Sequence, residues 1–196
     1  MPHTTRAEQR EQTRATLLRE SRRLFATVGY GAVGLAEIVQ SAGVTKGALY
    51  HHFASKAELF RAVLEEVQEE VGQRVAEAAD AEDDPWIALV AGCQEFIQAA
   101  TDPDRQRIML IDGPAVLGWN EWRALDERSS ARHLAEALTD LIERGVLTRQ
   151  PVAPLAHLLS GAMNEAALWL ASSGRPGDLE DTGRALRGIL EALRTR

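Results

Sequence analysis

The stretch LAEIVQSAGVTKGALYHHF at residues 35–53 restricts the fold of this chain more than any other part of it. Its apolar residues recur at helical spacing on both sides of Gly43, which predicts two short helices joined by a sharp turn at that glycine. On the second helix Leu49 and Phe53 lie four residues apart, so both side chains are expected to point into a core. The pattern is typical of a helix-turn-helix.

The second helix of this pair is expected to present its N-terminal part to solvent. Thr45 is a suitable N-cap, and the inward placement of Leu49 leaves the residues around it exposed. Small side chains at an exposed helix start allow a close approach to base edges, and the free amides there favour phosphate. This part of the sequence therefore predicts a surface that binds nucleic acid.

The charge distribution supports a polyanionic partner for this region alone. The formal net charge is −7, yet residues 1–56 hold 8 Lys+Arg against 4 Asp+Glu, whereas residues 57–196 hold 14 against 25. Because fields near a surface act within about a Debye length, only the basic N-terminal part is expected to meet a polyanion. The alternative is an uneven distribution of ordinary solvated charge.

Helical periodicity continues through the rest of the chain, and no segment alternates as a strand would. One helix is expected to end at Gly29, and Ser55 and Glu58 have capping-box spacing at the start of a long helix. Further helices are expected at about 86–100, 104–111, 119–144, 153–172 and 178–194, separated by proline and glycine. We predict an all-α protein, with a three-helix helix-turn-helix domain at 1–56 and a larger helical domain at 57–196.

Two motifs that suggest other ligands have simpler explanations. GYGAVG at 29–34 matches a dinucleotide fingerprint, but a helix precedes it where that fingerprint needs a strand. The neighbours His51 and His52 diverge by about 100° on a helix, so they are not expected to chelate one metal ion. We therefore predict neither a cofactor nor a metal.

The sequence contains no pattern typical of an enzyme or of a membrane protein. His133 and His157 stand without a catalytic triad, a metal-spaced cluster or a phosphate loop. The first residues include no apolar run like that of a signal peptide, and no stretch reaches the roughly 18 apolar residues that span a bilayer. The single Cys93 is expected to be a buried, inert thiol rather than a redox sensor. We expect a cytoplasmic protein.

The segments LFATVGY at 24–30 and AEIVQSAGVTKGALYHHFASKAELF at 36–60 resemble the N-terminal domain of TetR-family transcriptional regulators. The acidic, helical remainder is similar to that family in length and helix order. The resemblance implies a homodimer that binds a palindromic operator on double-stranded DNA, and a C-terminal domain for dimerisation and ligand binding. It further implies a repressor released by a small, largely apolar inducer. The alternative is a structural DNA-binding or partner-recruiting protein that needs no ligand.

The resemblance also assigns DNA contacts to individual residues. The residues are Thr45, Lys46, Gly47, Ala48, Tyr50, His51 and Lys56. Thr45, Lys46 and Lys56 would hold phosphate. The small residues Gly47 and Ala48 would pass close to base edges, and Tyr50 and His51 would reach either phosphate or bases. Gly34 departs from the family pattern, where Ser or Thr usually caps the second helix, and so does Val39, where Ala is commoner.

Aromatic and methionine side chains of the second domain are candidates for an inducer pocket, although most such residues in a helical core only pack. The candidates are Phe96, Met109, Trp119, Trp122, Met163 and Trp169. Asn164 is a candidate either for binding a ligand or for a hydrogen bond in an interface or the core. Asp112 is a candidate either for capping a helix or for facing a cationic ligand.

Two late helices carry apolar stripes that would pair across a two-fold axis as a four-helix bundle. The stripes are Leu155, Leu159, Ala162 and Ala166 on one helix, and Leu179, Leu186, Leu190 and Leu193 on the other. The alternative is that both stripes pack within one chain.

Overall fold

The computed structural model of the protein describes residues 5–195. Within that range the chain forms α1 (Arg6–Val28), α2 (Leu35–Ala42), α3 (Lys46–His52), α4 (Lys56–Asp80), α5 (Pro85–Thr101), α6 (Pro103–Gln106), a π-helical turn (Arg107–Asp112), α7 (Gly113–Leu117), α8 (Trp119–Asp126), α9 (Ser130–Glu143), α10 (Val152–Ser173) and α11 (Asp178–Glu191). The only β feature of these residues is one antiparallel bridge between Leu147 and Arg194. The all-α prediction is confirmed.

We call α1–α3 the head and α5–α11 the body, and α4 joins the two. The expected domain boundary after residue 56 falls at the first turn of α4, and it stays a prediction. Residues 1–4 of the first predicted domain and residue 196 of the second lie outside the described range. None of the described helices combines the length and apolar character needed to cross a membrane.

The head is held together by an aromatic cluster that includes the start of α4. Phe25 of α1 and Phe60 of α4 are both fully buried, with ring centroids 5.3 Å apart in an edge-to-face arrangement. Tyr30 packs against both rings, at 5.7 and 5.1 Å. Edge-to-face pairs at these distances add to the gain from burial alone. Gly29 ends α1 with φ of 87° and donates its N–H to the carbonyl of Phe25.

Helix α4 runs from the head along the body, where it packs against α5 and α9. The residues that repeat every four positions, Leu59, Val63, Val67 and Val71, are all fully buried, as the periodicity predicts. Glu70 of α4 forms ion pairs with Arg22 of α1 at 2.6 Å and with Arg105 of α6 at 2.7 Å. One carboxylate thereby links the head, the connecting helix and the body.

Two expected features of the middle of the chain are wrong. The helix expected at 119–144 is two helices, α8 and α9, because the chain turns at Ser129, whose hydroxyl donates to the carbonyl of Gln68 at 2.5 Å. Gly113-Pro114 does not interrupt the helical path, since Gly113 has helical dihedrals and opens α7. A proline is tolerated there because the first turn of a helix leaves its N–H groups unpaired.

Half of the residues in the predicted late stripes are buried within the single chain, and the pairing of the two helices across a two-fold axis stays a prediction. Leu155, Leu159, Leu186 and Leu190 are all at most 8% exposed. The large apolar side chains that α10 and α11 expose are Leu158, Trp169, Leu179 and Ile189. Of these, only Leu179 belongs to a predicted stripe.

Candidate functional site

Helix α3 presents an exposed face built on two inward anchors. Leu49 is fully buried and Phe53 is 3% exposed, as their spacing predicts. Thr45 caps the helix, since its hydroxyl oxygen accepts from the N–H of Ala48 at 3.1 Å. Six of the seven predicted DNA-contacting residues lie on or beside the outer face: Thr45, Lys46, Gly47, Tyr50 and His51 are exposed, and Ala48 is half-buried.

The turn between α2 and α3 sets the angle of this face. Gly43 has φ of 64°, in the left-handed region that glycine enters without steric cost. Helix α2 is in turn tied to α1, because Arg23 donates to the hydroxyl of Ser41 at 2.9 Å and that hydroxyl donates to Glu20 at 2.9 Å. The orientation of the outer face of α3 is therefore fixed by the backbone geometry at Gly43 and by side chains of α1.

Positive charge gathers at the C-terminal end of α3. Burial lowers the pKa of His52, and its basic neighbours His51, Arg10 and Arg14 lower it further, while Glu11 opposes them. The guanidinium of Arg14 lies 5.7 Å from the ring centroid of Phe53. The sequence motif did not single out Arg10 and Arg14, because they belong to α1, more than 30 residues away in the chain. The net positive charge of residues 1–56 was the only available signal.

The structure does not bring Lys56 to this face. Its ammonium donates to the carbonyl of Tyr30 at 2.5 Å and lies 4.1 Å from the centroid of that ring. Burial lowers the pKa of Lys56, and the negative charge of Asp112 opposes that effect. The ammonium that was expected to clamp phosphate thus binds Tyr30, at the joint between the head and the body.

Asp112 is not a helix cap. Its carboxylate makes no capping bond to α7. Instead it accepts a hydrogen bond from the backbone N–H of Tyr30 at 2.8 Å, across 82 residues of chain. The expected capping role is therefore wrong, and this carboxylate joins the body to the head.

The body encloses a cavity of about 260 Å³ between α4, α5, α9 and α10, which we call the body cavity. Its walls are largely apolar and include Leu89, Cys93, Phe96, Leu134, Leu141 and Met163. Two of the six predicted ligand residues, Phe96 and Met163, line it. Burial raises the pKa of the Cys93 thiol to about 12, which agrees with the expected inert thiol.

A buried polar cluster forms one edge of the body cavity. Ser130 and Ser160 line the cavity, and their hydroxyls approach the carboxylate of Asp126 at 3.3 and 3.4 Å. Arg123 donates to the same carboxylate at 2.9 Å. Burial raises the pKa of Asp126, while the Arg123 charge opposes that shift. A bound molecule with one polar group would therefore meet two hydroxyls that a carboxylate holds in place.

A second cavity, of about 440 Å³, lies between α7, α8 and α10, and we call it the tryptophan cavity. Trp119 and Trp122 form one wall, with ring centroids 4.9 Å apart. Asn164 also lines it, and its buried amide oxygen has no hydrogen-bond partner among the described residues. The two remaining candidates line neither cavity: Met109 is buried in the core, and Trp169 is 45% exposed.

No cluster of three or more His, Cys, Asp or Glu in residues 5–195 could hold a metal ion.

Residues 17–63 match the sequence model of the family described as bacterial regulatory proteins, tetR family. Residues 86–193 match the model of the tetracyclin repressor-like C-terminal domain. The chain belongs to the TetR family.

Similarity to this family extends over almost the whole chain. The HTH-type transcriptional regulator TtgR of Pseudomonas putida is 39% identical over an alignment that covers 95% of this chain and 97% of TtgR. The crystal structure of a TetR-family transcriptional regulator from Pectobacterium atrosepticum is 34% identical, with a TM-score of 0.78 over 98% of both chains. RolR in complex with resorcinol shares the fold, with a TM-score of 0.71 at 22% identity over 94% of this chain and 90% of RolR. The protein is a DNA-binding transcriptional regulator with a helix-turn-helix head.

Proposed function

We propose that the protein is a homodimeric repressor that binds a palindromic operator and leaves it when a small, largely apolar molecule enters the body. The observation that carries the proposal is the apolar body cavity of about 260 Å³. A structural DNA-binding protein that needs no ligand has no use for a cavity, whose lining loses contact energy. The cavity therefore favours the ligand-responsive repressor over that alternative.

The chemistry of the cavity wall narrows the class of inducer. Apolar side chains surround most of the space, and Ser130 and Ser160 offer hydroxyls at one edge. RolR, a protein of the same fold, has been crystallised with resorcinol, a small hydroxylated aromatic molecule. We propose an inducer of similar size, with an apolar body and one hydrogen-bonding group directed at the two serines.

The head supplies the DNA contacts of the proposal. Thr45 and Lys46 bind phosphate, Gly47 and Ala48 pass base edges, and Arg10 and Arg14 add phosphate contacts from α1. With three basic side chains from each protomer, about six phosphates are neutralised per dimer, and the slope of log affinity against log salt is about −5.

The proposed dimer forms through α10 and α11. Leu158, Trp169 and Ile189 are 73%, 45% and 53% exposed in the single chain, and a partner surface on α10 and α11 would cover these large apolar side chains. A two-fold axis there would let the two α3 helices enter successive major grooves, about 34–36 Å apart or a near multiple.

The DNA part is tested by selecting bound duplexes from a random pool with the purified protein. We expect a palindromic sequence, and the Lys46→Ala variant should bind all duplexes more weakly, while Ala48→Asn should change which sequence is preferred. Arg149→Ala, in the loop between α9 and α10, is a matched control, since it removes an exposed cation of the body. Failure to enrich any sequence would contradict the operator proposal.

The ligand part is tested by intrinsic fluorescence, because Trp86, Trp119, Trp122 and Trp169 all lie in the body. A panel of small phenols and related aromatic compounds is titrated, and each compound that quenches the fluorescence is then added to the operator complex. We expect quenching compounds to release DNA. If compounds bind with micromolar affinity and none alters operator binding, the ligand-independent alternative is favoured.

A further inference from the structure

We infer that the π turn Arg107–Asp112 sets the angle between the head and the body, and that Arg107 and Asp112 position the head for operator binding. The two residues are the first and last of the turn. The inference requires DNA binding by the head and does not depend on the identity or existence of an inducer.

Both ends of the π turn bind the C-terminal end of α1. The guanidinium of Arg107 donates to the carbonyls of Thr27 at 3.1 Å and Val28 at 3.3 Å. These are among the last carbonyls of α1, which have no partner within the helix. Asp112 accepts the N–H of Tyr30, the second residue after α1, at 2.8 Å. The end of α1 and the residues that follow it are therefore held by one turn of the body.

Gly29, between those contacts, shows how close the approach is. A Cβ atom at this position would lie 2.9 Å from a guanidinium nitrogen of Arg107. The φ of 87° at Gly29 also disfavours any residue with a side chain. The end of α1 is thus shaped to receive Arg107.

Only the π form of the turn places both side chains on this side. In an α-helix, with 3.6 residues per turn, residues five apart point in directions about 140° apart. A π-helical turn closes hydrogen bonds between residues five apart, so the first residue and the sixth lie one above the other. Arg107 and Asp112 are five apart, and an α-helical path through the same residues would direct one of them away from α1.

Lys56 completes the joint from the side of α4. Tyr30 is held by Asp112 at its backbone N–H and by Lys56 at its carbonyl, the latter at 2.5 Å. Tyr30 lies between α1 and α2, so its position fixes the path into the helix-turn-helix. The lysine that the family resemblance assigned to phosphate here binds the joint instead.

The body holds the π turn in its widened form through Trp122. The indole N–H of Trp122 donates to the carbonyl of Met109 at 2.7 Å, in the middle of the turn. The ring fits because Gly113 has no side chain, since a Cβ there would lie 2.9 Å from Trp122. A single side chain of α8 therefore satisfies a carbonyl of the turn.

The test measures operator affinity by fluorescence anisotropy, with the duplex selected by the wild-type protein. The double variant Arg107→Ala with Asp112→Ala removes both side chains that reach the end of α1. We expect the double variant to lower operator affinity by roughly a hundredfold, and Asp112→Ala by about tenfold, since 1.4 kcal/mol corresponds to a factor of ten. Asp112→Asn keeps an oxygen that accepts the Tyr30 N–H, so it should restore most of the affinity.

Ile111→Ala and Asp104→Ala are the matched controls, because they preserve the spacing and the joint, and both should bind as the wild type does. Hydrogen exchange at the Tyr30 amide gives a second measurement, and it should accelerate in Asp112→Ala while the amides of α1 stay protected. Folded double-variant and Asp112→Ala proteins that bind the operator with wild-type affinity would overturn the inference. Should the double variant fail to fold, Asp112→Ala with unchanged affinity and unchanged Tyr30 exchange overturns it equally. A wild-type protein that binds no duplex contradicts the proposed function instead.

Discussion

The head and the body place their polar side chains in opposite ways. In the head, the polar residues that are proposed to contact DNA lie outside, on a short helix anchored by Leu49 and Phe53. In the body, polar residues are buried beside cavities: Asn164 lines one of them, and Asp126 holds the serines that line the other. A surface that reads DNA needs a fixed shape, whereas an interior that responds to a ligand needs polar groups and space that a bound molecule can change. Four measurements test this difference.

The largest expected effect is on the alkylation rate of Cys93, which reports how well the interior of the body is shielded from solvent. At pH 8 a thiol whose pKa is about 12 is ionised to roughly one part in ten thousand, against about a quarter for an unfolded cysteine with a pKa of 8.5. Because burial raises the pKa, the neutral thiol is favoured, and alkylation of Cys93 by iodoacetamide should be more than about a thousandfold slower in the folded protein than in urea. Cys93→Ser is the control for labelling elsewhere. Rates within tenfold of each other would mean that the body interior is open to solvent.

The second measurement asks whether the head and the body unfold separately. Phe60 is fully buried and belongs to α4, but it packs in the head cluster. We expect Phe60→Ala to lower the free energy of unfolding by about 3–5 kcal/mol. Tyr50→Ala, at a residue that is 47% exposed, should change it by less than about 0.5 kcal/mol.

Urea unfolding followed by both circular dichroism and tryptophan fluorescence separates the two parts, because all four tryptophans lie in the body. The two transitions should shift together in Phe60→Ala. A shift in circular dichroism alone would show a head that unfolds independently.

A smaller effect is expected where the body is tightly packed. A Cβ atom at Gly72 of α4 would lie 2.5 Å from the hydroxyl of Ser129. Gly72→Ala should therefore destabilise the protein by about 1–3 kcal/mol in urea unfolding. Adding Ser129→Ala removes the clashing oxygen, so the double variant should cost less than the sum of the two single changes. Additive costs would show that the two residues do not meet.

The smallest effect is in the head, where stability and function are expected to diverge. Gly47 lies within α3, and an added Cβ meets nothing closer than 3.9 Å. Gly47→Ala should raise the free energy of unfolding by roughly 0.5–1 kcal/mol, because alanine favours a helix more than glycine does. Operator affinity should fall, since the methyl group occupies the space of a base edge. Tighter operator binding by this variant would contradict the proposal that the outer face of α3 contacts base edges.

The sequence was sufficient for the head because its determinants are local. The cap at Thr45, the reversal at Gly43 and the inward pair Leu49 and Phe53 each depend on residues within four positions of one another. Six of the seven predicted DNA-contacting residues accordingly lie on or beside one outer face. Lys56 is the exception, because its partner Tyr30 lies 26 residues earlier.

Helical periodicity in the body was equally readable, since it depends on spacing within each helix. The features that could not be predicted depend instead on residues far apart in the chain. Ser129 breaks the helix expected at 119–144 by its contact with Gln68, and Asp112 meets Tyr30 across 82 residues. Of the six ligand candidates, two line the body cavity, two line the tryptophan cavity and two line neither. Helical spacing predicts which apolar side chains share one face of a helix, but not which helix lies opposite that face. Burial against a distant partner is a property of the folded chain, and local sequence carries no record of it.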